Sequence, residues 1–339
     1  MSLIVIAVVI PEKALIAQIR RLASLTASPA LVTGIGDDCA VLRLSRRRGN
    51  RKTRNQENDT LVTTDFSLEG IHFRRDWHSP ESIGHRCLAR GLSDIAAMGG
   101  EPVAAFLSLA LPRDLPSRWA SRFARGLIDL AKRSGVALAG GDTAESPNGI
   151  LADIIVLGTA PKGKSVLRST ARPGDRIYVS GQLGGSAAAV AQMLKRPDRK
   201  LNPSDFPRHF FPEPRLELGR ILRQRGLASA MIDTSDGLST DLAHICEESG
   251  VGAEILAEAI PLARVGRPPR EVDLQLALHG GEDYELLFTA PPRKPVPSRI
   301  ARLSITQIGH ITRGRHIVLL NRNGAGHQLE PEGWEHFRN

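Results

Sequence analysis

The chain has 339 residues, 41% hydrophobic and 24% charged, proportions ordinary for a soluble globular protein and a length that accommodates two domains. Three cysteines with no CxxC pair and no regular spacing argue against a disulfide framework or structural zinc, and fit a reducing compartment. The formal net charge of +9 invites a nucleic-acid partner, but an aromatic content of 4%, with none interleaved among the basic residues, disfavours base stacking.

The opening "MSLIVIAVVIP" is too short to span a bilayer and no basic residues precede it. It reads as a buried first strand or as extra residues from an upstream start, and the protein as cytoplasmic with no membrane partner. Between the strand-like "CAVLRL" and "TLVTTDF", residues 45–59 carry six Arg/Lys against two acids and no apolar periodicity. A solvated hairpin loop accounts for this stretch without nucleic acid. "PVAAFLSLAL" is a strand, and 79–100 a helix opened by Ser79-Pro80 and closed by a glycine pair. A second helix over 116–135 leads into the strands "VALAGG" and "ILADIIVLGTA". "RSTARPGD" breaks the pattern. The strand "RIYVSG" and helix "SAAAVAQML" restart it, followed by strands near 229–233, 252–256, 284–289 and 305–312. The expected fold is mixed α/β in two domains, 1–165 and 166–339, with mixed sheets and packed helices.

Five acidic sites each end an apolar or β-branched run beside Gly, Ser or Thr: "GIGDDCAVL", "LVTTDFSLEGIHF", "LSDIAAMGG", "LAGGDT" and "MIDTSDG". Any one of them reads as a turn or cap residue. Asp94 is more pointed. It lies near the helical stripe Ile83, Cys87, Gly91, Met98, and an inward carboxylate with no basic neighbour in sequence needs neutralising. Mg²⁺ takes such carboxylates together with substrate phosphates, and small residues let phosphate approach backbone N–H groups. At "MIDTSDGL", Asp233 and Asp236 either cap the helix that follows, which carries Leu238, Leu242 and Ile245 on one face, or hold a metal. No GxSxG elbow or Cys-His neighbour supports a nucleophile.

"GTAPKGKS" (158–165) satisfies the P-loop pattern GxxxxGK[ST]. A working P-loop opens into a long helix, whereas here Pro173-Gly174 and a new strand leave no room for one.

In order along the chain, "GIGDDCAV", "TTDFSLEGIHF", "LSDIAAMGGEP", "GGDT", "LRSTARPGD", "IDTSDGLSTDL", "GGEDYELLF" and "EGWEHF" resemble the thiamine-monophosphate kinases. These are relatives of aminoimidazole ribonucleotide synthetase and selenophosphate synthetase. The resemblance implies a homodimer binding ATP between its domains and phosphorylating thiamine monophosphate to thiamine diphosphate. It assigns Asp38, Thr63, Thr64, Asp65, Asp94, Asp142, Asp233 and Asp236 to several Mg²⁺ ions. Gly141, Asp142, Arg168 and Ser235 are assigned to ATP, and His72, Glu282 and Trp334 to the thiamine substrate. No general base is implied, because a phosphate acceptor is itself a nucleophile. A sister synthetase with another acceptor, a nucleic-acid-binding protein using the basic loop, and a P-loop nucleotidase are the competing readings.

Overall fold

The computed structural model describes residues 11–26, 28–44 and 57–337. The opening apolar run to residue 10 and the basic segment over 45–56 lie outside the described residues, so the expectations for them do too.

Six strands form the first sheet: β1 (Leu31–Thr33), β2 (Ala40–Leu42), β3 (Asn58–Leu68), β4 (Glu101–Leu111), β5 (Ala137–Glu145) and β6 (Leu151–Pro161), in the order β1-β2-β3-β6-β4-β5. Helices α2 (Pro80–Ala97) and α3 (Ser117–Ser134) belong to this half, while α1 (Glu12–Ala23) makes its ion pairs with Glu247 and Glu248 of the other. Along β6 burial alternates strictly, as a sheet covered on one face requires. Its inward Ala152, Ile154 and Val156 meet Leu88, Leu92 and Ile95 of α2 and Phe123 and Leu127 of α3 in one core. β3 begins at Asn58, inside the stretch expected to be loop, because Arg43 neutralises the buried Asp59 through two hydrogen bonds of 2.8 and 2.9 Å. β5 runs on beyond "VALAGG" to Glu145, held by parallel pairing with β4.

The second half contains β7 (Arg176–Ser180), β8 (Ala230–Asp233), β9 (Gly252–Leu256), the small pair β10 (Arg264–Val265) and β11 (Arg270–Glu271), β12 (Leu286–Ala290), β13 (Arg299–Ile300), β14 (Leu303–Thr312), β15 (Ile317–Leu320) and β16 (Gly326–Gln328). Its main sheet runs β16-β15-β9-β14-β7-β12-β8, with β13 on β14. The helices are α4 (Gly185–Lys195), α5 (Pro207–Phe210), α6 (Leu216–Gln224), α7 (Leu238–Ser249) and α8 (Leu274–His279).

The hinge of the architecture is α2. Ser79 caps it by accepting from Ser82 N at 3.2 Å, with Pro80 in its first turn. One face packs on the first sheet. At its C-terminal end Ala96 and Ala97 join Leu218, Leu222, Met231 and Phe288 of the second half in a separate core. The contact is close because a Cβ on Gly219 of α6 would lie 2.1 Å from the Ala96 carbonyl oxygen, so only glycine fits there.

Between the sheets, the P-loop-like segment is a turn. Lys164 N donates to Pro161 O at 2.9 Å, and the only helical structure between β6 and β7 is a single 3₁₀ turn, Arg168–Thr170. No helix of the described residues is long and apolar enough to cross a membrane.

Candidate active site

Three acids from distant parts of the sequence converge. Asp38 lies in the loop before β2, Asp94 on α2 and Asp233 at the end of β8, and one carboxylate oxygen of each lies within 4.8 Å of the others. Thr63 of β3 donates a short hydrogen bond to Asp94. Ser93 of α2 donates to Asp233 at 2.5 Å across the two halves, and Arg168 donates to Asp38 at 2.5 Å. Asp65 lies on β3 two residues beyond Thr63, on the same face; it is interior to the strand rather than at its end, because pairing with β6 continues to Leu68. Thr64, on the other face, donates to Asp153 at 2.7 Å. Asp38, Asp94, Asp233, Thr63, Thr64, Asp65 and Arg168, with Ser235 and Asp236, border one cavity of about 1040 Å³.

The charges are crowded. Like charges at this spacing repel by at least about 3 kcal/mol per pair at an effective dielectric near 20. Burial first, then Asp38, pushes Asp233 up to about 7; burial and Asp65 raise Asp94 well above the carboxylate range. Asp37, bordering the same cavity, is pushed up to about 7 by burial and by Asp38, although Arg168 N donates to it at 3.2 Å. Asp38 Oδ2 and Asp65 Oδ2 are buried with no hydrogen-bond partner among the described residues. Oxygen-only donors, unsatisfied and mutually repelling, fit hard divalent cations such as Mg²⁺.

Neither Asp233 nor Asp236 caps α7, and Thr234 and Ser235 do not cap it either. The residue before the helix is Gly237, without a side-chain cap. Asp241, in the first turn, reaches back to accept from Gly237 N at 3.0 Å and Asp236 N at 3.4 Å. Thr234 accepts instead from Glu285 N at 3.1 Å. The loop's carboxylates are thereby left to the cavity.

Beside the acids three loops interlock. Glu282 N donates to Ser235 O at 2.8 Å, Tyr284 N to Thr234 O at 3.0 Å and Trp334 N to Asp236 O at 2.9 Å. Gly281 permits this, since a Cβ there would lie 2.3 Å from Ser235 O. Burial would raise the Glu282 carboxyl, but Arg86, donating at 2.6 Å, together with His209 and Arg90, holds it at about 2. His72 accepts from Leu68 N at Nδ1, 2.9 Å away; burial and Arg90 lower its pKa to about 3, so the ring is neutral and presents an Nε2–H. Trp334 is 52% exposed on the rim.

Arg86 and Arg90 were not legible as site residues. Asp94 does have a basic neighbour, one helical turn earlier, contrary to expectation. The i, i+4 spacing of Arg86, Arg90 and Asp94 was the available signal, since it places all three along one side of α2. Conversely, Gly141 and Asp142 do not border the cavity. They lie on the exposed edge strand β5, separated from β3 by β6 and β4, and Asp142 accepts from its neighbour Thr143 N at 2.8 Å.

Two α/β halves facing each other across an acid-lined cleft match a defined class. Residues 36–160 fit the family of AIR synthase related proteins, N-terminal domain, and residues 172–320 its C-terminal domain. Thiamine-monophosphate kinase of Escherichia coli (strain K12) is 38% identical over 316 residues, 90% of this chain and 91% of that protein. The Bacillus subtilis (strain 168) thiamine-monophosphate kinase is 33% identical over 314 residues, 90% and 93%. Among solved structures, AaThiL complexed with AMPPCP and TMP superposes with a TM-score of 0.80 at 31% identity, covering 96% of this chain and 97% of that one. Hydrogenase maturation protein HypE in complex with ATP, at 18% identity and a TM-score of 0.65, shares the fold; it covers 92% of this chain and 94% of that one. The chain therefore belongs to the AIR synthase related family and, within it, to the thiamine-monophosphate kinases.

Proposed function

We propose that the cleft between the halves carries out ATP-dependent phosphorylation of thiamine monophosphate to thiamine diphosphate. The observation that carries this reading is the meeting of Asp38, Asp94 and Asp233, with Asp65 beside them, on the wall of a cavity that Glu282, His72 and Trp334 also line. An oxygen of the acceptor phosphate attacks the γ-phosphorus of ATP. The bond from that phosphorus to the β,γ-bridging oxygen breaks in line, and ADP leaves with the electron pair. The acceptor oxygen is already anionic, so no side chain needs to remove a proton.

The obstacle is repulsion between two polyanions. Asp38, Thr63, Thr64, Asp65, Asp94, Asp233 and Asp236 would hold Mg²⁺, which supplies charge neutralisation and orientation of the phosphates. Arg168 and Ser235 would contact ATP. Neutral His72 offers only a hydrogen-bond donor, Glu282 is a fixed anion suited to the cationic thiamine ring system, and Trp334 gives that ring system an aromatic wall. The domains are taken to divide at 165 and 166, and the protein to act in the cytoplasm. Formation of thiamine diphosphate from thiamine monophosphate, ATP and Mg²⁺ tests the activity. No turnover with this acceptor, but ATP use with another, would favour a sister synthetase.

Gly141 and Asp142 keep their assigned contacts with ATP and Mg²⁺ only in a homodimer, since within one chain they stand on an uncovered sheet edge. Sedimentation equilibrium should therefore give a dimer. A monomer that is fully active would remove both residues from the site.

Metal-free protein should also show a characteristic pH dependence. Asp233 and Asp37 are raised to about 7 and Asp236, by burial and then Glu12, to about 6. These acids hold protons in the folded state that the unfolded chain has lost between about pH 4 and 7, so their contribution to stability falls as pH rises through that window, while His72, kept neutral by burial down to about 3, contributes in the opposite sense. Added Mg²⁺ should raise the melting temperature clearly at pH 8 and little at pH 5. Equal shifts at both pH values would mean that the cation binds elsewhere.

A further inference from the structure

Three guanidinium groups border the cleft or its wall, and they are used differently. Arg86 is 5% exposed and fully engaged: it donates to Glu282, to His72 O at 3.3 Å and to His209 O, so it fixes the substrate-end residues in place. Arg168 is bound to Asp38 through Nη2, although its buried Nε, like that of Arg90, has no hydrogen-bond partner among the described residues. Arg90 makes two loose ion pairs and no hydrogen bond among the described residues. Its Nε lies 3.8 Å from Asp65 and its Nη1 3.6 Å from Glu282, both beyond hydrogen-bond contact, and its buried Nε has no hydrogen-bond partner among the described residues. It borders the large cavity and also a small space of about 10 Å³, room for one water at most, shared with Ser67, His72 and Arg86.

An always-charged planar fork held between two carboxylates, yet bonded to neither, leaves a buried donor unsatisfied, which is costly unless a ligand completes it. Both flanking groups are anionic and already belong to other assignments: Asp65 to the metal cluster, Glu282 to substrate recognition. A dianion placed between those two groups would meet the free edge of the guanidinium. We propose that Arg90 is a substrate-binding residue that receives the phosphate group of the acceptor, thiamine monophosphate. This inference rests on the kinase reading above. Each polyanion then has its own arginine, ATP near Arg168 and the acceptor phosphate near Arg90, with the acids between them. Phosphate is the ligand such a fork matches, through two parallel N–H···O bonds.

The test compares binding of thiamine monophosphate, thiamine and a non-hydrolysable ATP analogue, each with Mg²⁺, by calorimetry. Arg90→Met should weaken thiamine monophosphate roughly 10- to 100-fold, the scale of lost hydrogen bonds to a charged group, while thiamine and the ATP analogue stay within about two-fold. Arg90→Lys keeps the charge without the fork, so it should fall between Arg90→Met and the parent. Retained binding of the ATP analogue also shows that the variants are folded. Unchanged affinity for thiamine monophosphate overturns the proposal. So does an equal loss for thiamine, which would mean that Arg90 acts by placing Glu282. If the unmodified protein makes no thiamine diphosphate, the kinase reading falls and this inference falls with it.

Discussion

Asp233→Ala and Asp65→Ala should each lower turnover at least ~100-fold at saturating Mg²⁺, the scale on which charge in a transition state loses a fixed partner. Asp233 is 2% exposed, ends β8, accepts from Ser93 and stands within 4.8 Å of Asp38 and Asp94. Asp65 contributes a buried oxygen that no described residue satisfies. Folding should survive both changes, because removing one member of a crowded acid group relieves repulsion. In metal-free buffer the variants should melt no lower than the parent. A retained fold with lost turnover separates a role in the reaction from a role in stability. Near-normal turnover in both variants would count decisively against a metal cluster.

Glu285→Ala should destabilise the protein by roughly 3–5 kcal/mol, the cost of breaking a buried ion pair from one side. Glu285 is completely buried, and its carboxylate accepts from Arg215 at 2.8 and 2.6 Å, from Ser180 at 2.5 Å and from Arg208. Alanine would leave two guanidinium groups facing an emptied space without their carboxylate. Replacing the glutamate and both arginines by apolar residues together should recover much of the loss, because the cost comes from the unpaired charges rather than from the absence of the pair. Urea unfolding with an unchanged slope measures it. A shift below about 1 kcal/mol would show that water reaches the two arginines. The consequence extends to the site, since Glu285 N donates to Thr234, the residue between Asp233 and Ser235.

The sequence was most legible where local chemistry and position agree. Ser79-Pro80 opens α2 and the alternating run of β6 folds as a strand, because caps and period-two burial are decided within a few residues. The P-loop-like segment was also resolved locally, since the missing helix can be read from Pro173-Gly174. Local reading left alternatives open where one residue type has two uses. Asp233 and Asp236 stand where a cap belongs, yet neither caps α7, and Asp241 of its first turn accepts from Gly237 N instead. Arg86 and Arg90 look like the solvated face of a helix until the second half covers them. Asp59 sits at the edge of a charged stretch, yet Arg43 lets it be buried at the start of β3.

The sequence by itself determined the succession of strands and helices and the presence of acids beside small residues, since both depend on neighbours along the chain. Only the tertiary structure decided which acids meet. Asp38 and Asp94 come from one half and Asp233 from the other, and they converge because α2 is packed against both cores. Asp142 has the same local context as the others but stands apart, because sheet order puts two strands between β5 and β3. Strand order and the close approach of α6 to α2 at Gly219 are fixed by long-range packing, and no window of the sequence contains both partners of such a contact.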